Sequence, residues 1–402
     1  MAIFKKLVVF LFLFLLPTQL GKHFFLDFSY VDGVRVDYLS LVLYATDILA
    51  LMLVWVYREV IIKELRKQKH FLVFLGLLVA TNILASQYPV LGLYSAAKLL
   101  EIYIIYVIFS HIRVRGGTLL LPLFVGGLVQ LFLALLQFHY KSSIQGIFYY
   151  LGERFFTLGT AGIAKASFFD QQILRPYGTF SHPNSLGGFY LLLYAFVLSL
   201  KPGNQGNFLR YGLILISSLL VLLSFSRVAI VVYVVITLIH IAPKLLKKDC
   251  LPCLIGRTGV LLIVSGIFLQ VEADPLSLEK RILLIKQSLL IIKENLILGT
   301  GFGHHLFAHA KFPNPYPHFF LQPVHNIFLL FLEQAGAVIT ILILIPLHKF
   351  IRKRGPVPFF LPLLVVLFTG LFDHYWLTLQ QNMLLMGVIF GLMKNATFSS
   401  EE

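Results

Sequence analysis

Four residues, scattered through a chain of 402, have the side-chain types needed to grip an anion and move a proton. They are Arg175 in R-P-Y-G-T-F-S-H-P-N (175–184), Arg227 in S-F-S-R (224–227), Arg281 in L-S-L-E-K-R-I-L-L-I-K-Q-S (276–288), and His325 at the start of H-N-I-F-L-L-F-L-E-Q-A-G (325–336). Arginine presents a planar fork of donors that stays protonated, which matches phosphate or pyrophosphate oxygens. Histidine titrates near neutrality and can take a proton from a hydroxyl nucleophile. Three cations and a base of this kind suit transfer of a group away from a pyrophosphate. Each residue also has a plainer reading. Arg227 could snorkel toward lipid head groups, and Arg281 could be one of the basic residues that an interfacial helix needs. His325 could cap a helix at an interface, and Arg175, just before a proline, could make a structural ion pair.

These residues can act together only if the fold brings them to one place, and composition says what kind of fold that is. Of all residues, 58% are hydrophobic and only 13% are charged, with a mean hydropathy of +0.86, where a soluble domain carries about 25% charged residues. Apolar runs recur at the ~17–25 residues that cross a bilayer as helix, and irregular backbone cannot face lipid. The chain therefore reads as an all-α polytopic membrane protein of a single domain, 1–402, with about twelve spans. The spans fall near 1–20, 38–57, 71–86, 93–111, 118–137, 186–200, 258–271, 327–348, 357–373 and 376–393. Two more come from splitting the stretch 211–243 at Arg227. The first, Lys5-Lys6 followed by an apolar run without a small-residue cleavage site, is read as a retained span rather than a signal peptide. The formal charge of +15 does not point to nucleic acid, because most Lys and Arg gather in short connectors, as the positive-inside rule expects of cytoplasmic loops. With both termini inside, the segments 138–185 and 272–325 face outward, and so do all four chemical residues. Residues 276–295, with polar clusters every seven residues, read as an amphipathic helix at that interface.

Other patterns lead less far. Gly299-Thr300-Gly301-Phe302-Gly303 follows no strand, so it reads as a flexible bend, not a nucleotide loop. His304, His305, His309, His318 and His325 lack an acidic ligand among them, so no metal or other cofactor is expected. Cys250 and Cys253 form a lone C-x-x-C without zinc or redox context. Asp47, Glu101 and Glu333 fall within spans, where carboxylates usually face a cavity or a partner. Glu101 has Lys98 three residues before it, and Glu333 lies two turns below His325.

The motifs R-P-Y-G-T-F-S-H-P-N, S-R at 226–227, the outer loop with Arg281 and G-T-G-F-G, and H-N-x9-G (His325, Asn326, Gly336) resemble the O-antigen ligase and O-antigen polymerase superfamily over roughly 175–340. The resemblance implies a membrane glycosyltransferase without metal or nucleotide cofactor, working at the outer face of the plasma (inner) membrane in surface polysaccharide biosynthesis. It implies an undecaprenyl-pyrophosphate-linked glycan as donor and a glycan or lipid-linked glycan as acceptor. By position, Arg227 and Arg281 would then contact the pyrophosphate and His325 the acceptor hydroxyl, with Arg175, His182, Asn184 and Asn326 as further substrate-binding candidates. Two other readings stand beside it: a transporter or flippase for lipid-linked glycans built on Asp47, Glu101 and Glu333, and a protein-O-glycosylating transferase of the same superfamily.

Overall fold

A computed structural model describes the chain except residues 1, 113–115, 169–170, 201–206, 247–250, 271–275, 314, 317–319, 353–356 and 399–402. Cys250, His318 and several basic connector residues of the expected topology lie outside the described residues, as does the side chain of Cys253.

Helices α1 (Ala2–Leu15), α2 (Ala45–Val56), α3 (Arg58–Lys67), α4 (Lys69–Leu84), α5 (Pro89–Phe109) and α6 (Gly116–Tyr140) make the first half. Helices α7 (Pro183–Ser199), α8 (Asn207–Leu223), α9 (Arg227–Leu246), α10 (Leu251–Leu269), α11 (Leu276–Glu294) and α12 (His305–His309) follow. The chain closes with α13 (Ile327–Arg352), α14 (Val357–Gly370), α15 (Tyr375–Thr378) and α16 (Gln380–Phe398). Every expected span thus contains a helix. Among the described residues three helical stretches, Pro89–Phe109, Leu119–Tyr140 and Ile327–His348, are long and apolar enough to cross a membrane, and seven shorter ones are apolar. The stretch 211–243 divides where expected: α8 ends at Leu223 and α9 opens at Arg227, around a turn in which Phe225 has φ +48°. α7 lies at the centre, buried from Leu186 to Leu198 and packed on α8, α9, α14 and α16.

Two expectations shift. The second span begins later than 38, because Leu41–Tyr44 is not helix but strand β4, paired antiparallel with β1 (Gly21–Phe24). Strands β2 (Tyr30–Val31) and β3 (Val34–Arg35) form a second hairpin, β5 (Lys165–Phe168) and β6 (Gln171–Leu174) a third. The helical protein therefore carries small β hairpins in its connectors. The second shift concerns 299–303, which is strapped to α13 and not a loose bend. Thr300 N donates to Glu333 O at 2.8 Å, Gly301 N to Gln334 O at 3.2 Å, and Ala337 N to Leu296 O at 2.7 Å. From α4, the Asn82 amide donates to Leu298 O and Gln334 O and accepts from Phe302 N. α13 breaks its helical geometry at Gly336 (φ 69°, ψ 173°) to let the strap in. A Cβ at Gly336 would lie 2.3 Å from Ile297 O and 2.5 Å from Gly299 N, so the glycine of H-N-x9-G is required by close backbone approach as well as by positive φ.

The expected carboxylates are paired. Lys98 Nζ lies 2.7 Å from Asp47 Oδ2 and 3.5 Å from Glu101 Oε2, and Gln380 donates to both. They border an apolar cleft of about 460 Å³ between α2 and α5.

The strap generates a prediction. Gly336→Ala should destabilise the protein by about 1–3 kcal/mol, from left-handed strain plus the clash. Gly76→Ala, at a helical glycine with open space around it, should instead be neutral or stabilise by up to about 1 kcal/mol. Thermal unfolding of the two variants in the same detergent checks the opposite signs.

Candidate functional site

His325 and Arg281 meet one turn, 371–374, between α14 and α15, and Arg175 is joined to it through Asn184. This turn supplies two groups that sequence reasoning missed, Asp373 and His374. The signal available was an Asp-His pair enclosed by two apolar stretches. His325 Nδ1 lies 3.7 Å from Asp373 Oδ1, too long for a hydrogen bond but close enough for the carboxylate to attract a protonated imidazole. The His325 and His374 rings are 5.0 Å apart, centre to centre. The two side chains of the His325–Asp373 pair are 19% and 11% exposed, so the pair is largely withdrawn from solvent.

Asn326 holds His325 in place. Its Oδ1 accepts from the N–H groups of Phe328 and Leu329, capping α13, and its Nδ2 donates to Leu371 O at 3.3 Å. Arg281, on α11, donates from Nη1 to Phe372 O at 3.3 Å. Asn184, in the first turn of α7, donates from Nδ2 to Asp373 Oδ2 at 2.8 Å and accepts from Arg175 Nη2 at 2.6 Å. Arg175 also gives Nε and Nη2 to Ser224 O, at 3.1 and 3.0 Å. It thereby ties the 175–184 motif to the turn that introduces Arg227. Arg227 is exposed at the start of α9. His182 is the N-cap of α7, its Nδ1 accepting from Asn184 N at 3.1 Å. Arg175, Asn184 and Asn326 thus commit much of their hydrogen-bonding capacity to protein partners, whereas the contact of Arg281 seen among the described residues is a long one to a carbonyl.

The 175–184 motif is itself fixed by two glutamines on α6 that sequence reasoning also passed over. Gln137 Oε1 accepts from Tyr177 N and Gly178 N, at 2.9 and 2.8 Å. Gln130 Oε1 accepts from Thr179 N at 3.0 Å, and its Nε2 donates to Thr179 Oγ1 at 2.8 Å. Their spacing of seven in an otherwise apolar helix puts them on one face, and both are fully buried.

The charges are uneven. Burial alone pushes the Asp373 carboxyl up, but His325 first, then His374 and His182, hold it well below the usual carboxylate range. It also accepts from His374 N at 2.8 Å. Burial, with the nearby Arg175 charge, pushes His182 down to about 3. Burial likewise pushes His374 down to about 3, against the pull of Asp373 and helped by His325 and Arg281. Both rings are neutral at pH 7. Arg175 is lowered to about 10, by burial first and also by the charges of Arg281 and Arg227, and so remains a cation. Three arginines and one carboxylate leave a net positive site, which fits an anionic ligand.

Among the described histidines of 304–325, His304 and His309 have separate hydrogen-bond partners. His304 accepts from Tyr88 N at 2.9 Å and stacks on that ring, and His309 turns to Glu333. A different set, His325, Asp373 and His374, places three potential ligand atoms within 4.8 Å of one another. The guanidinium charge of Arg281 acts on that set and disfavours a divalent cation there.

Residues 212–344 match the family described as O-antigen ligase. That stretch contains Arg227, Arg281, His325 and the strap, while Arg175, Asn184 and Asp373 lie outside it. No curated protein gives a match.

The buried neutral His374 makes stability depend on pH. Its folded pKa is about 3, while an unfolded histidine titrates near 6.5. Between those values the unfolded chain binds a proton that the folded one does not, so stability falls on acidification by about 1.4 kcal/mol per pH unit. His374→Gln should remove that component. Melting temperatures of both proteins between pH 7 and 4 should show a shallower loss for the variant.

Proposed function

We propose that the chain works as a membrane glycosyltransferase of surface polysaccharide biosynthesis, a reading supported by the match of residues 212–344 to the O-antigen ligase family. The protein transfers or polymerises a glycan carried on undecaprenyl pyrophosphate onto a sugar hydroxyl of a glycan or lipid-linked acceptor. The acceptor oxygen bonds to the first sugar carbon as that carbon's bond to the pyrophosphate oxygen breaks. The bonding pair leaves with the pyrophosphate, and the hydroxyl proton passes to His325. Asp373, 3.7 Å from His325 Nδ1, stabilises the imidazolium so formed. Arg227 and Arg281 hold the charge growing on the leaving group, the kind of fixed-cation stabilisation that contributes most to such a step. His374, neutral because buried, packs beside His325 and orients it.

One observation carries this reading above the others: a histidine facing a buried carboxylate on the same turn whose preceding carbonyl receives Arg281. It puts a base and a cation at one place. Of the three carboxylates behind the transporter reading, Asp47 and Glu101 are paired with Lys98 and Gln380, and Glu333 accepts a hydrogen bond from Ser288. No metal takes part in the proposed chemistry. The proposed setting is a plasma membrane crossed by twelve helices, with 138–185 and 272–325 on the outer (periplasmic) side.

Two experiments test the proposal. Purified protein in liposomes, given a defined lipid-linked donor and acceptor, should join them with no gradient and should stay active after exhaustive chelation. His325→Ala should abolish transfer. Arg281→Lys keeps the charge but loses the fork, and should lower the rate roughly tenfold to a hundredfold. Lys286→Arg and Lys293→Arg, exposed on the same helix, should be nearly silent. Normal rates for Arg281→Lys would make α11 a lipid anchor only, and zinc-dependent recovery after chelation would make the His325–Asp373–His374 set a metal site. In the second, a cysteine replacing exposed Leu289 on α11, in a protein lacking Cys250 and Cys253, should react with an impermeant reagent from outside the cell. Reaction only from inside would reverse the topology.

A further inference from the structure

Eight residues beyond His325, α13 carries Glu333, which is completely buried. Seven residues beyond Arg281, α11 carries Ser288, also completely buried. The two meet: Ser288 Oγ donates to Glu333 Oε2 at 2.7 Å. The other carboxylate oxygen, Oε1, lies 3.2 Å from His309 Nε2 of α12, and both of these side chains are out of solvent. His309 Nδ1 is in turn 3.1 Å from Gln287 Oε1 on α11. The backbone of the same residue holds the strap, because Glu333 O accepts from Thr300 N and from Thr300 Oγ1. Four segments are therefore fastened at Glu333: α11, α12, the 299–303 strap and α13.

A buried carboxylate is costly unless paired and hydrogen-bonded, and nothing about burying the apolar face of α11 requires one. Leu284, Ile291 and Ile292 already bury that face. What the polar joint adds is register. Apolar packing tolerates sliding of one helix along another, whereas a hydrogen bond of 2.7 Å fixes both translation and rotation. Ser288 lies about two turns from Arg281 on α11, and Glu333 sits in the second turn of α13, whose first turn is capped by Asn326, the residue next to His325. Fixing them relative to each other fixes Arg281 relative to His325.

We propose that Glu333, through Ser288 and His309, is the positioning residue that sets the distance between the anion-holding Arg281 and the base His325. This rests on the glycan-transfer reading above, yet it includes a claim about helix register that can be measured without activity. Glu333 touches no substrate, so its loss lowers kcat while leaving the KM for donor nearly unchanged.

The test uses the full-length protein. Ser288→Ala removes one hydroxyl and leaves only a small gap, so it keeps the fold. Glu333→Gln keeps both contacts, with its carbonyl accepting from Ser288 and its amide donating to His309. Glu333→Leu removes both. In proteins lacking Cys250 and Cys253, spin labels replacing exposed Leu278 of α11 and Phe328 of α13 report the separation of the two helices. Glu333→Gln should keep a narrow distance distribution and a kcat within about threefold of wild type. Ser288→Ala and Glu333→Leu should broaden the distribution and lower kcat by about tenfold or more, since small misplacements of catalytic groups cost such factors. Placed on Arg281→Lys, Ser288→Ala should cost little further, because distant residues that act independently would add. Unchanged distances in Ser288→Ala and Glu333→Leu, or full additivity with Arg281→Lys, overturn the proposal. A wild-type protein with no transfer activity but with broadening in those variants would sink the transfer reading and leave the register joint standing as a structural device.

Discussion

The turn at 371–374 is the fixed point of this protein. It lies between two short helical segments near the end of the chain, yet hydrogen bonds reach it from α11 through Arg281, from α13 through Asn326, and from α7 through Asn184. Two of the three contacts are to the backbone carbonyls of Leu371 and Phe372, just beyond the end of α14 at Gly370. The third is to the Asp373 carboxylate. Displacing this turn would disconnect segments separated by up to 189 positions in sequence. The bundle around α7 gives it a rigid seat: Trp376, just beyond the turn, is wholly buried and donates to Thr369 Oγ1 at 2.8 Å.

Much of this was legible in the sequence, and the reasons differ by element. The helices are plain because long apolar runs allow nothing else in a bilayer. The break at Arg227 follows from length alone, since one crossing cannot use 33 apolar positions (211–243). Arg175, Arg227, Arg281 and His325 stood out because the expected topology brings them to one face, away from the short connectors that hold most Lys and Arg. Asp373 and His374 were hidden by their neighbours, Phe372, Tyr375 and Trp376, which mimic an interfacial aromatic belt. Gln130 and Gln137 were hidden because a lone amide in an apolar helix has no spacing rule to announce its partner 40 or more residues later. The strap at 299–303 was misread for a related reason. Three glycines in five positions suggest looseness, but here each adopts positive φ so that backbone can pack on backbone, which stiffens the segment.

The amphipathic character of α11 illustrates how a sequence pattern can be correct in form and incomplete in consequence. A seven-residue repeat of polar clusters does make a helix with two faces. The pattern does not reveal that one polar residue, Ser288, points inward. Lys286 and Lys293 follow the pattern outward, while Leu284, Ser288 and Ile291 turn toward α13. The helix is thus part of the packed protein and holds Arg281 at the rim of the site.

Charge balance explains why one carboxylate is placed among several cations. Arg175, buried and spent on Ser224 O and Asn184, contributes a positive potential that no substrate need contact. Left alone, that potential would oppose protonation of any nearby histidine, and it does so at His182. Asp373 offsets it beside His325, and in the proposed reaction this lets the imidazole take a proton while Arg281 and Arg227 meet the anion. The geometry separates two demands that conflict in a single spot: a base must be able to gain charge, and an anion must meet charge already in place. Burial keeps the two fields from being averaged by solvent, which is why the organising arginine and carboxylate lie inside while the arginines assigned to the ligand lie toward the surface.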